Sequence, residues 1–191
     1  TKEEIMKIGA VPKILAKQNN EGYWEIPKGF YTSKYKGTVW QLIVLAELGA
    51  DGRNERIRKV CEFILENSQD RESGGFSMNT SVKNGGGRHK EVIPCLTGNM
   101  VWSLVKFGYL EDPRIQRGII WIVTHQQFND GIRKEPQDSA YDYGIKMKTC
   151  WGKHSCHMGV VKALKALAEI PAANRSTEVK KTVEKGAEYM L

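Results

Sequence analysis

Three stretches of the chain, beginning at Thr38, Leu96 and Cys156, share one order of apolar and polar positions. Each opens with a run that is apolar nearly all round, passes through a short turn, and continues with apolar residues recurring every three or four positions. That second spacing is typical of an amphipathic helix with one wet face. Its apolar stripes are Ile57, Val60, Cys61, Ile64 and Leu65, then Ile115, Ile119, Ile122 and Val123, and finally Val179, Val183, Ala187, Met190 and Leu191. The repeat therefore predicts three hairpins, each with a buried inner helix and an amphipathic outer helix.

Residues at the ends of these runs support the helical interpretation. Gly49 and Gly108 stand where a helix C-terminus favours a left-handed residue, and Asp112 before Pro113 is a good start for a helix. The segment "KEEIMKIGAVPKILAKQ" predicts a leading outer helix, which Pro12 should kink or begin. We therefore expect one all-α domain over residues 1–191, with seven helices alternating inside and outside in an α/α arrangement.

Long connections separate the predicted hairpins, at residues 19–37, 69–95 and 128–150. They exceed the usual length of a helix–helix loop, so we expect them to carry function. The 69–95 connection contains three consecutive glycines. No strand precedes these glycines, which favours a mobile lid over a nucleotide-binding loop.

Composition and charge limit the classes of function. Hydrophobic residues make up 40% and charged residues 27% of the 191, as in a globular protein. No run approaches the roughly 18 apolar residues of a membrane span, and "TKEEIMKIGA" lacks the apolar core of a secretion signal, so we expect a cytoplasmic location. The net charge is +7, but the basic residues are spread along the chain, so we expect no nucleic-acid partner. Four cysteines are too few for a disulfide scaffold.

The ends of the outer helices carry a repeated signature. In "LAKQNNEGYW" and "LENSQDRESGGF", an aliphatic residue is followed by Gln and then by Gly and an aromatic residue, and in "VTHQQFNDG" Ile132 stands in place of the aromatic. This signature resembles the QW repeat of squalene and hopene cyclases, within the wider terpenoid cyclase and protein prenyltransferase α/α-toroid group. The resemblance implies that glutamine and aromatic tie the end of an outer helix to the next inner helix. The residues concerned are Gln18, Trp24, Gln69, Phe76 and Gln127.

The resemblance has consequences for architecture and activity. Complete toroids of the group contain more hairpins, so we expect a partial toroid, truncated at its C-terminus and completed by a missing half or by self-association. The cyclase DxDD motif, the DDxxD magnesium motif and the prenyltransferase zinc pattern do not occur in this sequence. The resemblance therefore implies a concave cavity for a largely apolar, isoprenoid-type small molecule, and whether the protein is an enzyme stays open.

Cysteine and histidine precede two of the inner helices, in "GRHKEVIPCLTGN" and "GKHSCHMG". Because inner helices that lie side by side share one rim, we expect His89, Cys95, Cys150, His154, Cys156 and His157 to converge there. A thiol at a helix N-terminus and beside a basic side chain has a lowered pKa. Cys156, with His154 close to it in the sequence, therefore gives two catalytic candidates. Three Cys or His ligands also hold Zn²⁺ with a fourth position open, and the metal candidates are Cys95, Cys150, Cys156 and His157. Purely structural roles stay open as well.

Two further interpretations accompany the isoprenoid one. "CHMG" at 156–159 is similar to the Cys-His-Gly segment of the lanthionine cyclases, which implies a zinc enzyme acting on a thiol or peptide substrate. The second is a non-catalytic interaction module that uses the open half-ring as a groove. Acidic and aromatic side chains complete the list of candidates: Asp138 and Asp142 for catalysis, and Trp40, Trp102, Tyr141 and Trp151 for lining a cavity that takes an apolar or cationic ligand.

Overall fold

A computed structural model of the protein describes residues 1–131, 150 and 154–191. This part of the chain contains eight α-helices, and its β-structure is limited to isolated bridges. The all-α prediction is therefore confirmed. The helices are α1 (Lys2–Lys7), α2 (Ala10–Leu15), α3 (Thr38–Glu47), α4 (Glu55–Asn67), α5 (Pro94–Lys106), α6 (Pro113–His125), α7 (His157–Glu169) and α8 (Thr177–Met190). Short 3₁₀ turns lie at Pro27–Gly29, Lys34–Lys36, His89–Glu91 and Ala172–Asn174.

The leading segment forms two short helices, α1 and α2, where the sequence predicts one. The break falls at Ile8 and Gly9, and Pro12 is the third residue of α2. A proline is tolerated in the first turn because the N–H groups there have no intrahelical partner. Pro12 thus lies at the start of a helix, which was one of the two predicted outcomes.

The remaining helices form the three predicted hairpins, α3–α4, α5–α6 and α7–α8. The inner helices contact one another in chain order, α3 with α5 and α5 with α7, and each contacts the outer helix of its own hairpin. The predicted stripe of α4 is buried, with Ile57, Val60 and Ile64 fully enclosed. The closed-ring arrangement of a toroid stays a prediction.

The buried face of α8 differs from the predicted one. Val179, Thr182 and Gly186 are buried, whereas Ala187 and Met190 of the predicted stripe are exposed. A Cβ atom at Gly186 would lie 2.5 Å from the Leu164 side chain of α7 and 2.8 Å from the Phe128 ring. The helix therefore turns its small residues toward its neighbours, because close packing there outweighs the larger apolar side chains.

Helix ends follow the sequence signals. Asn54, Asp112 and Ser176 each accept a backbone N–H bond at the start of an outer helix, and Gly49 and Gly108 have positive φ after α3 and α5. These caps satisfy groups that a helix end leaves without partners. The longest helix, α8, has 14 residues. No helix in the described ranges is long and apolar enough to cross a membrane.

The connection between α4 and α5 folds back on itself. Ser77 bridges to Val92 and Thr80 to Gly87, and the Gly87 N–H donates to the Gln69 carbonyl at 2.7 Å. A Cβ atom at Gly87 would lie 2.2 Å from the Ser68 carbonyl oxygen. The glycine run is thus a packed turn in place of the predicted lid.

Candidate functional site

Two glutamines at the ends of outer helices make the same pair of hydrogen bonds. The Gln18 amide donates to the carbonyls of Gly22 at 3.2 Å and Arg56 at 3.0 Å. The Gln69 amide donates to Gly74 at 2.9 Å and to Arg114 at 2.6 Å. Arg56 and Arg114 are the second residues of α4 and α6. Each glutamine therefore joins its helix to the next outer helix, so the predicted connection to the next inner helix is wrong for the glutamine.

The aromatic residue of each motif makes the connection to the inner helix. The backbone N–H of Trp24 donates to the Thr38 hydroxyl at 3.1 Å, and that of Phe76 donates to the Thr97 hydroxyl at 2.9 Å. Both threonines are fully buried, in the first turns of α3 and α5. Both aromatic side chains are also buried in the core. The predicted tie to the inner helix thus belongs to the aromatic half of the motif.

Only glycine fits the middle of these motifs. Gly22 and Gly74 have φ of +94° and +84°, which L-residues rarely adopt. A Cβ atom on Gly22 would lie 2.6 Å from the Lys59 carbonyl oxygen, and one on Gly74 would lie 2.7 Å from the Arg117 Cβ. Both glycines therefore let the motif pack directly on the next outer helix. In the third motif, Gln127 lies within the described residues and Ile132 outside them.

The first two turns of the three inner helices line one pocket, with a volume of about 210 Å³. Its walls are mostly apolar and aromatic, and three polar groups interrupt them. The lining residues are Tyr31 ahead of α3, Val39, Trp40 and Ile43 in α3, Cys95, Leu96 and Asn99 in α5, and Met158 and Lys162 in α7. The inner helices thus begin at a shared rim. We refer to this cavity as the rim pocket.

One predicted thiol, Cys95, lines the rim pocket, and Cys150 and Cys156 lie within electrostatic range of it. Burial, with smaller contributions from these two cysteines, raises the pKa of the Cys95 thiol to about 12. Burial also raises the pKa of Tyr31, with smaller contributions from Cys95 and Cys150. The direction of the Cys95 shift is opposite to that of an activated thiol, because the cost of burying a thiolate exceeds the stabilisation at the helix N-terminus.

The predicted histidines lie against other partners. His89 Nδ1 is 2.6 Å from Asp70 Oδ2. Burial alone would raise the pKa of Asp70, but hydrogen bonds from Ser73 and His89 hold it below its usual value. His154 Nδ1 lies 3.3 Å from Asp130 Oδ1, and both side chains are exposed.

His157 extends the exposed group around Asp130. Its Nε2 lies 3.5 Å from the Tyr189 hydroxyl, and that hydroxyl donates to Asp130 Oδ1 at 2.8 Å. This hydrogen bond, together with His154, lowers the pKa of Asp130. The expected convergence at the rim is therefore not met by these imidazoles, which lie against Asp70, Asp130 and Tyr189.

The metal candidates do not form a metal-binding arrangement. Across residues 1–131, 150 and 154–191, no three His, Cys, Asp or Glu side chains are positioned to hold a metal ion. Cys95, Cys150, Cys156 and His157 all lie within these ranges. The zinc hypothesis therefore has no structural support from the described residues.

The cavity candidates have different surroundings. Trp40 lines the rim pocket. Trp102 lies nearer the C-terminal ends of the inner helices, where its Nε1 donates to Glu169 at 3.2 Å and the Lys165 ammonium lies 3.5 Å from its ring centroid. A cation of the protein itself thus covers the Trp102 ring. The remaining candidates, Asp138, Tyr141, Asp142 and Trp151, lie outside the described residues.

Sequence reasoning missed three polar residues of the rim pocket, Tyr31, Asn99 and Lys162. Two of them had a weak signal, since Asn99 and Lys162 are polar residues within inner helices that are largely apolar. A polar side chain on such a helix faces a cavity or finds a partner, because burying it without either is costly.

Comparison with known proteins gives one partial similarity. The chain is 36% identical over 62 residues to a squalene-hopene cyclase from Schizosaccharomyces japonicus. The match covers 32% of this chain and 10% of that protein, so the similar region spans about a tenth of the cyclase. No family model matches the sequence, and no solved structure matches it. Across just under a third of the chain, the similarity therefore supports the resemblance to terpenoid cyclases.

Proposed function

We propose that the chain is a segment of a terpenoid-cyclase-like α/α toroid whose rim pocket binds part of an apolar, isoprenoid-type ligand. The observation that carries the proposal is the position of the pocket, at the first two turns of all three inner helices. The twice-repeated glutamine and aromatic contacts and the partial similarity to a squalene-hopene cyclase support the same family. The proposal names a class of ligand and no reaction, because the catalytic aspartate motifs of the family do not occur in the sequence.

The size and lining of the rim pocket suit a short branched chain. Val39, Ile43, Leu96 and Met158 offer aliphatic or thioether surface, and Trp40 adds an aromatic ring. Pockets for drug-sized ligands measure about 300–1,000 Å³. At about 210 Å³ the rim pocket is smaller, so we expect it to take a unit of about ten carbons rather than a long polyprenyl chain.

Blocking the pocket tests the proposal. Ile43 lines it, whereas the next residue, Val44, is exposed on the same helix. Ile43→Trp and Val44→Trp therefore add the same ring inside and outside the cavity. We would titrate the protein by calorimetry with two ten-carbon isoprenoid probes, neutral geraniol and anionic geranate.

For whichever probe binds, we expect Ile43→Trp to weaken binding at least about tenfold and Val44→Trp to leave it within about twofold. Failure of the wild-type protein to bind either probe would contradict the proposal. So would binding that is indifferent to Ile43→Trp.

The same purified sample distinguishes the two alternatives. A zinc enzyme acting on a thiol or peptide substrate would retain stoichiometric zinc, measurable by elemental analysis and lost in Cys156→Ala. An interaction module would bind neither probe and would self-associate in sedimentation experiments. Either result would replace the isoprenoid proposal.

A further inference from the structure

Among the described residues that line the rim pocket, Lys162 carries the formal charge. Burial raises the pKa of Tyr31 and Cys95, so both of these ionisable lining residues are neutral at pH 7. Lys162 is half-buried and forms no ion pair within the described residues. Its neighbour on α7, Lys165, pairs with Glu47 instead. A partly desolvated cation in a largely apolar cavity is unfavourable until an anion or hydrogen-bond acceptors reach it.

The packing of α5 on α7 fixes the position of this lysine. A Cβ atom on Gly98 would lie 2.5 Å from the backbone carbonyl carbon of Lys162, so the two helices make a close approach at these residues. Asn99 follows Gly98 in the chain and also lines the pocket. Asn99 and Lys162 therefore stand on either side of one tight helix contact, with little freedom to separate. A fixed backbone spacing removes part of the entropic cost of bringing two polar side chains to one ligand.

The donors in the pocket suit an oxyanion. An ammonium group offers three N–H donors, an asparagine amide two and a tyrosine hydroxyl one. Lys162, Asn99 and Tyr31 supply these groups, and the part of the lining that the structure describes contains no carboxylate. One positive charge balances one negative charge, which favours a carboxylate over a doubly charged phosphate.

We propose that the ligand of the rim pocket carries a carboxylate head on its apolar chain, and that Lys162 and Asn99 bind this head. The inference rests on the proposed function. The proposed function describes the apolar chain of the ligand, and the inference adds its polar head group. The apolar chain lies against Ile43 and Trp40, and the carboxylate lies at the contact between α5 and α7. The pocket thereby selects an acid over the corresponding alcohol.

A matched pair of probes and variants tests the inference. Geranate and geraniol share their carbon chain and differ in the head group. Lys162→Met removes the charge at similar length, Lys162→Arg keeps it, and Lys180→Met removes a charge from the exposed face of α8. Calorimetry at pH 7 would measure each affinity, with circular dichroism as the check that every variant folds.

We expect the wild-type protein to bind geranate at least about tenfold more tightly than geraniol. Lys162→Met should bring geranate to the affinity of geraniol, with geraniol unchanged, and Lys162→Arg should retain most of the preference. Lys180→Met should retain all of it. Added salt should weaken the binding of geranate and leave that of geraniol unchanged, because salt screens the attraction between charges.

The failures of the two proposals are distinguishable. If geraniol binds as tightly as geranate, or if Lys162→Met leaves their ratio unchanged, the carboxylate inference is overturned and the apolar pocket stands. If neither probe binds, or if Ile43→Trp has no effect on either, the proposed function is overturned and the inference with it.

Discussion

Gly74→Ala tests the close contact between a repeat motif and the next outer helix. Gly74 has φ of +84°, and a left-handed conformation costs a residue with a Cβ atom about 1–2 kcal/mol. The new methyl group would lie 2.7 Å from the Arg117 Cβ and 3.0 Å from the Arg117 backbone, and overpacking of this kind costs about 1–3 kcal/mol more. We therefore expect the free energy of unfolding to fall by about 2–4 kcal/mol, after a small gain from the less flexible unfolded chain.

Gly108→Ala separates the two contributions. Gly108 has φ of +87°, but no described atom lies within 4 Å of an added Cβ. We expect this variant to lose only the conformational part, about 1–2 kcal/mol. Urea unfolding followed by circular dichroism measures both variants. If Gly74→Ala costs no more than Gly108→Ala, the close approach to Arg117 does not constrain the fold and the reasoning fails.

The other predictions concern the motif glutamine and the buried thiol. Gln69→Met removes two hydrogen bonds to backbone carbonyls, so we expect the free energy of unfolding to fall by about 2 kcal/mol. Gln116→Met, on the exposed surface, should lower it by under about 0.5 kcal/mol. Equal losses of the two variants in urea unfolding would contradict this. Because burial raises the pKa of Cys95 from 9.0 to about 12, its contribution to stability is complete below pH 9 and is lost as the pH rises toward 12. Unfolding measured across that range should show a shallower decline in Cys95→Ala than in the wild-type protein, and identical slopes would refute the assignment.

Local patterns in the sequence predicted the helices, and tertiary packing decided the rest. The stripe through Ile57, Val60 and Ile64 and the caps at Asp112 and Gly108 depend on spacing along one helix, so they were readable. The face that α8 buries was not readable from the sequence, because it depends on the close contact of Gly186 with Leu164 and Phe128, which belong to other parts of the chain. Propensity and periodicity yield to such contacts.

The candidate site depended on helix order and on the direction of each side chain. Helix order alone led to the expectation of a shared rim, and Cys95 lies within electrostatic range of Cys156, but the site itself stays a prediction. Spacing in a loop does not fix the direction of a side chain, so the turn of His89 toward Asp70 had no signal in the chain. Lys162 is one of two lysines in α7, and the sequence alone does not show which of them faces a cavity.

The hydrogen bonds of the two motif glutamines have a consequence for how such chains evolve. Each amide recognises a main-chain oxygen of the following hairpin, at Arg56 or Arg114, and no side chain of that hairpin takes part. Sequence drift in the acceptor helix therefore leaves the glutamine hydrogen bond intact as long as the helix begins in the same place, although the Arg56 and Arg117 side chains add bonds of their own to the carbonyls of Leu15 and Arg71. A further hairpin of different surface sequence could join the array in the same way, provided that a carbonyl in its first turn keeps a lone pair accessible to the preceding glutamine.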